Sequence, residues 1–103
     1  MPEASLTLIA GQIEKRLASG AGLNARVKFD FGADGLLLID ATQSPPVVTH
    51  EDGEADVTLL TSLDTFAAIL SGSQDPNVAF LMGKLKIKGS MGLAMKLNAL
   101  LED

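Results

Sequence analysis

The chain contains no cysteine, tryptophan or tyrosine, and only four phenylalanines among its 103 residues. Without cysteine there is no disulfide framework, no thiolate nucleophile and no thiolate metal site. The shortage of aromatics excludes a platform on which bases would stack. Basic residues are also scarce: eight Lys and Arg stand against thirteen Asp and Glu, for a net charge of −5 and a pI near 4.6. A protein that tracks a phosphate backbone needs a basic face, so nucleic acid is not an expected partner. No apolar run approaches the roughly 18 residues that a membrane-spanning helix requires. Met-Pro-Glu-Ala at the start lacks the basic-then-apolar layout of a secretory leader. Leu-Leu-Glu-Asp at the end is not a peroxisomal address. A cytoplasmic protein is the simplest expectation.

What is present is apolar: 47% of the residues are hydrophobic, which rules out disorder as the main state. The length suits one domain over residues 1–103, with a single core. Charge is unevenly distributed. Nine acids and no Lys or Arg lie between Phe29 and Gly83, after which Lys84, Lys86, Lys88 and Lys96 come close together.

The element pattern is α+β. Leu6, Ile9, Ile13 and Leu17 recur at helical spacing, and Gly20 to Gly22 should end that helix. Ala25, Val27, Phe29 and Phe31 alternate with polar residues as a half-buried strand does. Gly32 to Gly35 is a turn, and Leu36 to Asp40 returns as the second arm of a hairpin. Ser44-Pro45-Pro46 breaks the pattern. Val47 to His50 and Ala55 to Thr61 read as two more strands, with Glu51-Asp52-Gly53-Glu54 as a charged hairpin tip between them. Ser62 should cap a helix from Leu63 to Leu70, with Gly72 beyond its end. Asp75-Pro76 opens another from Asn77 to Met82. Lys84 to Lys88 is a strand, at an edge or crossing over, and Ser90 starts the last helix. Four consecutive strands between helices predict a largely antiparallel sheet covered on one face.

Catalytic and metal signatures are missing. His50 is the lone histidine and stands beside a turn, with no nucleophile motif around it. Glu51, Asp52, Glu54 and Asp56 lack the ligand spacing of a calcium loop. No cofactor and no metal are expected, and the chain does not read as an enzyme. Gly89-Ser90-Met91-Gly92 enters a helix, whose free N–H groups suit an anion. The plainer reading is a Ser90 cap with glycines placed for backbone reasons. The lysine stripe could draw the domain to an anionic membrane surface. It reads more simply as a solvated strand face offset by acids on a neighbouring strand.

The segment Phe80 to Leu97, FLMGKLKIKGSMGLAMKL, carries more information than the rest. Its last helix is apolar on nearly every side, so protein, a ligand or a partner must cover it. Methionine suits surfaces that accept variable apolar shapes. Core packing and a cavity wall both fit this composition.

That segment closely resembles the signature of the SCP-2 sterol-carrier family. Ala55-Asp56-Val57-Thr58-Leu59 and Phe66 to Gly72 occur in the order the family uses, and the resemblance extends over Leu6 to Leu101. It implies a five-stranded, mainly antiparallel sheet with helices over one face and an apolar tunnel between them. It also implies non-catalytic binding of fatty acids, fatty acyl-CoA, phospholipids or sterols. The chain departs from many eukaryotic relatives in lacking an extended tail and peroxisomal signal, and so looks like a small stand-alone bacterial member. Acyl lipids or isoprenoids are then better cargo than sterol. On that basis the pocket wall should comprise Phe66, Ile69, Leu70, Phe80, Leu81, Met82, Met91 and Met95, with Leu38 and Leu59 from the sheet. A one-residue register slip would exchange Leu38 for Leu37 or Ile39. The expected partner is the lipid, with at most transient membrane contact and a possible homodimer. The competing expectation is a structural module whose apolar surface is buried by a second copy or another protein.

Overall fold

The computed structural model describes residues 6–19, 24–43 and 46–101. Leu6–Ser19 form α1, which buries Ile9 and Ile13 one turn apart. The expected cap at Gly20 to Gly22, and Ser44-Pro45 of the expected break, lie outside the described residues. Strand β1 (Arg26–Asp30) buries Val27 and Phe29 and turns its polar residues the other way. A short 3-10 turn at Gly32–Asp34 reverses the chain into β2 (Leu36–Asp40), and Phe31 N–H closes the reversal on the Gly35 carbonyl at 2.9 Å. Val27 faces Ile39 and Phe29 faces Leu37 across this hairpin. All four are completely buried.

Strands β3 (Val47–Thr49), β4 (Val57–Thr61) and β5 (Leu85–Gly89) complete a sheet in the order β3-β2-β1-β4-β5. The sheet is mainly antiparallel, as expected, but β1 and β4 at its centre run parallel. The fifth strand is an edge strand, and its partner, which sequence alone did not reveal, is β4.

That parallel pair corrects the reading of residues 51–54. They do not cap a hairpin, because β3 and β4 are not neighbours. The connection instead crosses the helix-free face of the sheet, over β2 and β1. Lys28 Nζ meets Asp52 Oδ1 at 2.6 Å, and a Cβ added to Gly53 would come within 2.9 Å of Leu38 Cδ2. The physical reason is burial: β4 carries Val57 and Leu59, both buried, and fits the covered centre better than an exposed edge. The Lys28 ammonium, helped by the Gly53 N–H, holds the Asp52 carboxyl below its ordinary value. A depressed carboxyl contributes stability above its unfolded-state value and loses it as pH falls through the folded one. Acid should therefore loosen this crossing, only weakly because the pair is solvated.

Three more helices pack on the opposite face. Ser62 Oγ accepts the Thr65 N–H at the start of α2 (Leu63–Ser71), and Gly72 ends it in the left-handed region at φ 84°. Asp75 accepts the Asn77 N–H at the start of α3 (Pro76–Leu81), where Pro76 occupies the first turn. Ser90 Oγ accepts the Leu93 N–H at the start of α4 (Met91–Leu101). The Arg16 guanidinium donates to the Leu70 carbonyl at 3.1 Å and ties α1 to the end of α2. The core between sheet and helices includes a Phe29–Phe31–Phe66 group, in which Phe66 stands edge-on to Phe29 at 5.1 Å.

One junction holds several of these pieces. The Asp56 carboxylate accepts the Arg26 N–H, while its own N–H donates to the Arg26 carbonyl. Its carbonyl accepts the Ser90 N–H at 3.0 Å. Gly89 lies against this carbonyl with φ 101°, and a Cβ there would come within 2.5 Å of the Asp56 oxygen. Gly89→Ala is thus both strained and clashing with backbone. It should cost about 2 kcal/mol or more in urea denaturation. A loss near ~0.5 kcal/mol, the level of an ordinary surface change, would show that the junction can shift at little expense.

Candidate functional site

Between the sheet and the helices lies a cavity of about 260 Å³. Its floor is Leu59 of β4 with Leu85 and Ile87 of β5, the inward residues of a strand whose lysines point outward. Phe66 and Ile69 of α2 form the inner end, with Phe66 held in place by Phe29 and Phe31. Ala94 and Leu97 of α4 close it from above. Pro76, Asn77 and Phe80 of α3 flank it. Phe80, Met91 and Met95 line the cavity yet remain 43%, 50% and 73% exposed, so they form its rim.

The structure thus brings together six of the expected wall residues: Leu59, Phe66, Ile69, Phe80, Met91 and Met95. Four others lie elsewhere. Leu38 pairs with Lys28 across β1–β2 and projects from the helix-free face, beneath Gly53. The register buries Leu37 and Ile39 instead, because their partners Phe29 and Val27 face the helices. Leu70 is buried in the core beside the cavity rather than in its wall. Leu81 and Met82 follow Phe80 but turn away into solvent, 83% and 62% exposed. The turn they occupy is clamped, since Lys84 N–H donates to the Ala79 carbonyl and Thr61 Oγ1 donates to the Lys84 carbonyl.

Sequence reasoning missed Pro76, Asn77, Leu85, Ile87, Ala94 and Leu97. Signals for some of them existed. Leu85 and Ile87 alternate with lysines, and Ala94 lies three residues after Met91 on the helix that carries the rim. Asn77 stands one turn before Phe80, but nothing in its type marks an apolar site.

The polar candidates take structural roles. Ser90 Oγ is engaged by the Leu93 N–H, and Gly89 is required by backbone conformation and by contact with Asp56. Gly92 has no such constraint, since a Cβ there would meet only Ser90 Oγ at 3.9 Å. His50 is exposed at the start of the crossing segment. Among the described residues no cluster of His, Asp and Glu is arranged to hold a metal ion. Among the described residues no titratable side chain lines the cavity.

Comparison with known proteins places this geometry in context. Residues 7–102 match the family model described as the SCP-2 sterol transfer family. Sterol carrier protein 2 of Homo sapiens is 46% identical over 54 residues, covering 52% of this chain and 10% of that protein. This chain therefore spans a small part of that relative's length. The solution structure of the sterol carrier protein domain 2 of Helicoverpa armigera is 29% identical, covers 98% of this chain and 89% of its own, and superposes with a TM-score of 0.72. Sterol Carrier Protein-2 of Aedes aegypti, solved in complex with palmitate, shares the fold at 23% identity and TM-score 0.78, covering 98% and 96%.

The wall assignment can be tested with a fluorescent apolar dye. Ala94→Phe projects into the cavity and should cut dye uptake by roughly tenfold, the effect of losing one to two buried methylenes. Met95→Trp, at the exposed rim, should cut it less. Leu38→Ala should leave uptake unchanged, with circular dichroism confirming the fold of each. Dye loss from Leu38→Ala, or none from folded Ala94→Phe, would move the site.

Proposed function

Because the chain belongs to the SCP-2 sterol transfer family, we propose that it is a non-catalytic lipid carrier. In this reading the apolar tail of a fatty acid, acyl-CoA, phospholipid or sterol-like molecule enters the space between β4–β5 and the helices. The supporting observation is the chemistry of the cavity wall. Of the twelve described residues that line it, Asn77 alone has a polar side chain. A charged head group has no partner inside, so it stays at the Phe80–Met91–Met95 rim, where differing head groups are tolerated.

The dimensions favour a slender cargo. At about 260 Å³ the cavity is near the small end for ligand pockets, roughly 300 Å³ and upward. A flexible acyl chain can thread such a space, whereas a rigid fused-ring body needs the rim to open. Methionines at two rim positions supply soft, adaptable contacts for that movement. The Aedes aegypti protein of the same fold, held with palmitate, is consistent with a single acyl tail.

Affinity then comes from burial. Each methylene taken from water contributes roughly 0.8 kcal/mol, so ten contribute on the order of 8 kcal/mol before ordering costs. Micromolar binding requires about 8.2 kcal/mol in all. Tail burial is therefore the main contribution in this reading, and weak head-group selection follows.

Two measurements test the reading. Native mass spectrometry of freshly purified protein should show lipid-sized adducts on the monomer. Titration with saturated fatty acids should show affinity rising about fourfold per added methylene until the cavity is full. A ligand-free dimer that refuses every fatty acid would replace the carrier with an interaction module.

A further inference from the structure

The residues around the cavity mouth differ from the rest of the chain in both polarity and charge. From Pro76 to Leu101 there is no Asp or Glu, but there are four lysines, in a chain whose net charge is −5. The same segment supplies nine of the twelve described residues that line the cavity. Among the described residues it also supplies six of the eight large apolar side chains that are exposed: Val78, Phe80, Leu81, Met82, Met91 and Met95.

Neither feature is explained by packing. Leu81 and Met82 are held outward on a turn fixed by hydrogen bonds to Ala79 and from Thr61. Ordering a turn that presents two large apolar side chains to water gives the isolated domain nothing in burial. Among the described residues the lysines are also uncompensated. Opposite Lys88 stands Thr58 and opposite Lys86 stands Leu60, so the acids expected on the neighbouring strand are not there. Lys84, Lys86, Lys88 and Lys96 are all exposed, and none forms an ion pair with a described residue. Lys28, by contrast, is paired with Asp52.

We propose that the α3–β5 turn, the lysines of β5 and the rim of α4 form one docking face for an anionic phospholipid bilayer. Leu81 and Met82 enter the interfacial region while the lysines meet the anionic head groups. The inference rests on the carrier reading for its purpose, since it brings the Phe80–Met91–Met95 rim to the surface that supplies the tail. The acidic remainder of the chain is repelled by the same surface, which orients the molecule mouth-down. A second copy of the chain is a poorer occupant, because its docking face would carry the same lysines.

Flotation with vesicles tests this directly. Wild-type protein should float with phosphatidylcholine vesicles containing phosphatidylserine, and less with phosphatidylcholine alone or at high salt. Lys84→Gln/Lys86→Gln/Lys88→Gln should weaken anionic-vesicle binding on the order of 100-fold, at about fivefold per lysine. Leu81→Asn/Met82→Asn should weaken it by a similar factor, at roughly tenfold for each apolar side chain withdrawn. Both variants should keep the wild-type melting profile and bind a fluorescent fatty acid normally in the absence of vesicles. Unchanged flotation of either variant overturns the proposal. So does an equal loss from Leu8→Asn on α1, which would indicate undirected adsorption, or a solution dimer that Leu81→Asn/Met82→Asn dissolves. Failure of wild-type protein to bind the fatty acid without vesicles would instead sink the carrier reading, leaving the flotation result to be judged separately.

Discussion

The contact between Gly89 and the Asp56 carbonyl is the constraint on which the remaining arrangement depends. Asp56 holds the first residue of β1 on both sides of its peptide and receives the Ser90 N–H, so three strands and the start of α4 meet at one residue. The close approach needs a residue without Cβ and with positive φ, and glycine satisfies both. Ser90 then begins α4 at a fixed point beside the end of β5. From that start the helix must run back over β4 and β5, which sets Ala94 and Leu97 above Leu59 and Ile87. The cavity is therefore a consequence of where one strand ends and one helix begins.

A second constraint is the parallel pairing of β1 with β4. A meander of four strands would have left β4 beyond β3, with its apolar residues near an edge. The crossing segment instead inserts β4 beside β1, and the acidic residues 51–54 pass over the helix-free face. Acids thereby gather on the face remote from the cavity, where Asp52 meets Lys28 and Asp40 meets Arg26. Thr42, chiefly through its hydroxyl, lowers the Asp40 carboxyl further still. The topology sorts charge as well as burial.

Much of this was legible from local patterns. Period-two alternation placed β1 and β5, the Gly32 to Gly35 turn placed β2, and the caps at Ser62, Asp75 and Ser90 were identifiable because each is a short-range bond between neighbours in sequence. What escaped was non-local. Nothing in residues 50–56 distinguishes a hairpin tip from a crossing, since both are polar and turn-rich. Leu38 was misplaced for a related reason: β2 reads Leu36-Leu37-Leu38-Ile39, and an unbroken apolar run has no polar marks to show which parity faces the helices. Its partner strand does carry those marks, and the pairing of Phe29 with Leu37 resolves the parity. Leu81 and Met82 show a different limit. Apolar type suggested a wall, yet a six-residue helix that buries Ala79 and turns Phe80 toward the cavity leaves Leu81, and Met82 after it, outside.

That last point bears on how the cavity and the surface around it are related. A wall that is apolar and free of charge accepts a tail on shape and length, with no group to recognise a head. Discrimination, if left to such a wall, is weak, because one methylene is worth only a few-fold in affinity. On the carrier reading, selectivity then comes from what is encountered at the mouth, where the chain concentrates four lysines that pair with no described residue and its exposed methionines. The acidic face is kept apart by the crossing segment, so the molecule is electrically two-sided although its net charge is negative. On the carrier reading, the choice of membrane rather than the choice of lipid is where charge acts. An uncharged pocket behind a charged mouth separates those two decisions, and the Asp56–Gly89 junction holds them next to each other.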